Sequence, residues 1–89
     1  MHSQPQNYAA FFKYLKAQTL DAAQVEAVRA EIRTKCSENA REPTENALVL
    51  MDLAFDALQS TRVHALLHVL EKDYDVPVHL IVRAMNELQ

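Results

Sequence analysis

Apolar residues recur along this chain at the three- and four-residue spacing that places them on one face of a helix. Tyr8, Phe11, Phe12 and Leu15 form the first stripe, with Lys13 and Lys16 on the other side, and predict a helix from Pro5 to about Lys16. Pro5 suits a first helical turn, where its missing N–H would find no partner anyway, and the polar residues Met1–Gln4 before it are expected to fray. The second stripe is Val25, Val28 and Ile32, and it follows a clear start signal. Asp21 is placed to accept from the N–H of Gln24, Gln24 to reach back, and Leu20 to pack on Val25.

Residues Ser37–Glu42 show no apolar period and predict a loop, closed by Pro43 as a first-turn residue of the next helix. From about Thr44 to Gln59 apolar residues lie nearly all round, interrupted by a strip of Glu45, Asp52, Asp56 and Gln59. Such a helix needs cover on most sides and is expected at the centre. Ser60 and Thr61 predict a break, because extending the stripe of Met51, Phe55 and Leu58 lands on Arg62 rather than Val63. Val63, Leu66, Leu67, Leu70 and Tyr74 pattern a fourth helix, which Asp73, Asp75 and Pro77 end. Val78, Leu80, Ile81, Ala84, Met85 and Leu88 pattern a fifth. The expected fold is all-α: a compact bundle of about five short helices in a single domain over residues 1–89, packed around the apolar helix at about 44–59.

Composition narrows this further. Two domains do not fit in 89 residues, since single domains commonly run to about 100–150. Glycine is absent, where ordinary usage of about 7% would supply about six. Tight hairpins need positive φ and usually take it from glycine, so a chain with none, but with 13 alanines, is best built from helices. Nine Lys and Arg against twelve Asp and Glu give a net charge of -3, which argues against a protein that coats nucleic acid. Residues 42–60 hold Glu42, Glu45, Asp52 and Asp56 and no cation, whereas most cations lie before them, so complementary faces are expected within or between chains. The single cysteine, Cys36, cannot form an intramolecular bridge, and the N-terminus lacks the pattern of a signal peptide. The longest central apolar run, Ala47–Met51, falls far short of the ~20 residues that cross a bilayer. A reducing cytoplasm is the expected location.

Four groups of residues invite chemical readings. His64 and His68 stand one turn apart with Glu71 on the same face, a spacing at which two imidazoles and a carboxylate can share a metal. However, Ala65 follows His64 where a metalloprotease helix carries its general base, so a solvated polar face is expected and no metal is assigned. Cys36 lies near the end of the second helix, where the dipole disfavours a thiolate, and is expected to be inert. Ser3, Ser37 and Ser60 lie in no strand-turn-helix context, and no glycine is present to build a phosphate-cradling loop. Asp52 and Asp56 share a face, but as a solvent strip or as partners for the basic helices rather than an acid-base pair. The chain is therefore read as non-catalytic, without a cofactor or small-molecule substrate.

The stretch from Leu70 to Leu88 resembles a helix-turn-helix, in a degenerate form over 63–88. The resemblance implies Leu70 and Tyr74 facing inward, Val76 plugging the turn, and Ile81, Met85 and Leu88 anchoring a recognition helix. The pattern departs at Glu71, where a small residue is usual at the crossing, and at Asp75, where the turn favours glycine. A DNA-reading version would present Val78, His79, Val82, Arg83 and Asn86 to the duplex. Only Arg83 among them is cationic, and the chain from residue 61 onward is net negative, a poor footprint for phosphates.

The function expected is that of a small cytoplasmic protein-binding or regulatory protein acting through protein–protein contacts, as a homodimer or with another protein. An 89-residue core is expected to leave apolar anchors uncovered, drawn from Phe11, Phe12, Val49, Phe55 and Met85, with charged residues around them setting orientation. DNA binding through the helix at 77–88 is the alternative.

Overall fold

The computed structural model describes residues 8–37 and 42–87 in full, and 38 and 39 by backbone alone. They form five helices: α1 (Tyr8–Lys16), α2 (Ala22–Asn39), α3 (Pro43–Asp56), α4 (Ser60–Asp73) and α5 (Val78–Glu87). This is the all-α bundle that the periodicity predicts. The expected fraying of Met1–Gln4, the start at Pro5 and the anchor at Leu88 lie outside the described residues.

Start signals act locally and are found where they stand in the chain. The N–H of Gln24 donates to Asp21 Oδ1 at 3.2 Å and that of Val25 to the Asp21 carbonyl at 3.0 Å, so Asp21 caps α2. Val25 is buried, and Leu20 packs against the core beside it. Pro43 opens α3 behind Glu42. The end of α2 differs from the expectation: the helix continues through Ser37 to Asn39 instead of ending in a loop. Polar residues with no apolar period still suit a helix end that faces water, and no breaker stands before Pro43.

The break between α3 and α4 falls at Ala57–Gln59, three residues before the expected end of the third helix. Its hydrogen bonds are those of a Schellman motif: the N–H of Gln59 donates to the Ala54 carbonyl at 2.8 Å and that of Leu58 to Phe55 at 3.0 Å. That motif needs a left-handed residue at the position Leu58 occupies, and Leu58 adopts φ 57. Ser60 and Thr61 then become the first turn of α4. The second left-handed residue is Asp75, φ 55, in the α4–α5 turn, a conformation Asp tolerates better than Leu.

Packing places α4 in the middle together with α3. α4 buries seven residues against six in α3, and it packs on α1, α2 and α3. α5 packs mainly on α1 and α3 through Ile81 and Met85. Surface ion pairs tie the outer helices to α4. Arg29 forks onto Asp73 at 2.6 and 3.2 Å, Lys16 meets Glu71 at 3.0 Å, and Arg62 donates to Glu31. The radius of gyration, 12.1 Å, is that of a well-folded chain of this length. No described helix is long and apolar enough to cross a membrane.

Candidate functional site

Four aromatic rings decide where the apolar surface goes. Phe55 on α3 meets Tyr8, Phe11 and Phe12 of α1 at ring-centroid distances of 5.3, 5.5 and 6.2 Å, the first edge-on. These ring contacts join α1, which packs on α4 and α5, to Phe55 and consume residues expected at a partner surface. Phe12 and Met85 are fully enclosed and Phe55 is nearly so, so these three anchor the protomer's own core. Phe11 and Val49 remain half-buried. Tyr8 belongs to the same cluster. Burial pushes its pKa up, and the negative charges of Asp52 and Asp56 push it further the same way.

Exposed apolar side chains appear late in α3 and in the turn after it, and also at Tyr14 and Leu80. Leu58 is 75% exposed and Leu53 56% exposed, although the periodicity placed Leu58 on the enclosed stripe. Between Leu58 and Phe11 lies a groove of about 200 Å³ floored by Ala54, Phe55 and Val63 and closed by Gln59 and Ser60. The groove is apolar, and the helix that carries it is the acidic one, with Glu45, Asp52 and Asp56 and no Lys or Arg. Leu58 is the residue that sequence reasoning missed. No signal in the chain marks it, because a leucine stands where the left-handed turn falls.

His64 and His68 lie in a different place from the solvated face expected of them. α4 is covered by three other helices, so His64 is buried, 8% exposed, and His68 is half-buried. Together with Lys16, Gln18, Glu71 and Lys72, and with Leu20 and Leu67 as its apolar part, they line a cleft of about 210 Å³ between the end of α1 and α4. Glu71 is drawn to Lys16 rather than into a ligand set, and no group of three or more metal-binding side chains occurs among the described residues. Burial holds the His64 imidazole below its ordinary range, with the like charges of His68 and Lys16 acting in the same direction.

This has a consequence for stability. The unfolded chain binds a proton at His64 more readily than the folded one, so the contribution of His64 is fully present above the unfolded value of about 6.5 and is lost as pH falls through it. Thermal unfolding followed by circular dichroism should show a drop in Tm between about pH 7.5 and about pH 5.5 that is smaller in His64→Gln. Equal drops in both proteins would exclude His64 as the source.

The turn of the helix-turn-helix resemblance is formed, with Asp75 left-handed and the N–H of Val76 donating to the Leu70 carbonyl at 3.1 Å. The remaining geometry serves packing. Val78 and Val82 lean on the core, leaving His79, Arg83 and Asn86 exposed. Arg83 lies 3.8 Å from Glu87, one turn along the same helix. Cys36 is half-buried and in no disulfide. No protein-family model matches the chain, and neither curated proteins nor solved structures give a significant match.

Proposed function

We propose that this is a small non-catalytic binding protein that acts through contact with another protein, a second copy of itself included. The observation that carries the reading is Leu58, an aliphatic side chain three-quarters exposed at a backbone conformation that disfavours it. A left-handed non-glycine residue costs roughly 1–2 kcal/mol, and exposed leucine gains nothing in water. Both features make sense where Leu58 is buried in a complex. The groove beside it takes an apolar anchor from the partner, Phe11 widens the contact, and the acidic residues of α3 favour a partner with a cationic rim. A Leu58→Gly protein tests this, because it removes the anchor and relieves the backbone.

The rival reading is DNA binding through α5, favoured by the formed turn at Asp75. It requires duplex retention at ~150 mM salt that weakens by about tenfold when Arg83 is replaced by Ala. The acidic surroundings and the proximity of Glu87 predict instead that a gel-shift assay finds no salt-resistant binding and no effect of Arg83→Ala.

A further inference from the structure

We propose that the cleft between the end of α1 and α4 is a binding site for a small tetrahedral oxyanion, of the phosphate or sulfate class. It shares no lining residue with the groove at Leu58, and it does not depend on the protein-binding reading.

The argument starts from His64. The residue is 8% exposed, yet its side chain makes no hydrogen bond to any described residue. No sealed side-chain nitrogen or oxygen among the described residues lacks a partner, so an unpartnered ring nitrogen of His64 keeps access to solvent, and His64 borders the cleft. A buried imidazole without a protein partner has a free donor or acceptor for a ligand. Around it stand Lys16 from α1 and His68 and Lys72 from α4, all donors when protonated, and Gln18 from the α1–α2 loop supplies an amide. Glu71 is the one acid in the cleft and is engaged by Lys16 at 3.0 Å. On the other side His64 borders a second hollow with Tyr14, Thr19 and Thr61, none of them charged at neutral pH. In a chain of net charge -3 this is a local concentration of nitrogen donors. Its volume, about 210 Å³, lies below the ~300 Å³ at which sites for larger ligands begin and suits an ion with few attached atoms.

Binding an anion favours protonation of His64, so affinity rises as pH falls. Sulfate is the better probe, because its own charge stays constant across the range. At ionic strength matched with chloride, sulfate should shift the ring resonances of His64 and His68 saturably in NMR spectra, with affinity about threefold or more higher near pH 6 than near pH 8. The exposed rim variant Lys72→Gln, checked for native circular dichroism, should weaken binding by about threefold. O-phosphoserine run in parallel identifies the source: equal affinity assigns a free inorganic ion, and tighter binding a phosphate monoester. Shifts that grow linearly, that chloride reproduces, or that persist unchanged in Lys72→Gln and His68→Gln would overturn the assignment.

Discussion

Phe12→Ala is expected to lower the stability of the protein by about 3–5 kcal/mol, the cost of emptying a fully buried aromatic site. Phe12 is completely enclosed, stacks on Phe55 with ring centroids 6.2 Å apart and lies 5.9 Å from Tyr8 between centroids, so its loss empties the ring cluster around Phe55. Domains of this size have a total of only about 5–15 kcal/mol, so the variant should be largely unfolded at ambient temperature or melt far below the parent. Denaturant unfolding followed by circular dichroism measures it. A loss under about 1 kcal/mol, with the urea slope unchanged, would mean that Phe12 is not where the core lies and that it is free to face a partner.

Leu58→Gly should behave in the opposite way, losing association while keeping the fold. The left-handed position at the end of α3 accepts glycine without strain, and Leu58 gives up little buried area because it is 75% exposed. The gain is partly offset because glycine also loosens the unfolded chain. The net expectation is a stability unchanged or raised by up to about 1 kcal/mol. Binding moves the other way, because a central apolar anchor contributes about 2 kcal/mol or more to a protein contact, which weakens association by about thirtyfold. A merely structural Leu58 would show no such separation of the two quantities.

Those two expectations also mark where local sequence information ends. Asp21 capping α2 and Pro43 opening α3 are contacts between near neighbours, and the residues that make them are visible in the chain. The count of five helices follows from such signals and from apolar spacing. Burial of individual residues does not, because it depends on which helices meet. Phe12 and Phe55 are sealed because rings from α1 meet Phe55, and Met85 because α5 packs on α1 and α3, contacts between residues far apart in the chain. His64 is interior for a related reason: α4 is covered on three sides, so a residue on its polar-looking face still ends up beneath α1. At Leu58 the apolar stripe runs on past the point where the helix itself stops. The turn that stops it uses a left-handed leucine, for which composition offers no cue.

The most direct test compares immobilised wild-type and Leu58→Gly protein for the protein they retain from native extract in which a tagged second copy of the chain is also present. The wild type is expected to hold a defined protein, or the tagged copy, in stoichiometric amount, and Leu58→Gly, folded equally well, to hold neither. Equal retention by both, or none by either, would contradict a contact surface built on Leu58.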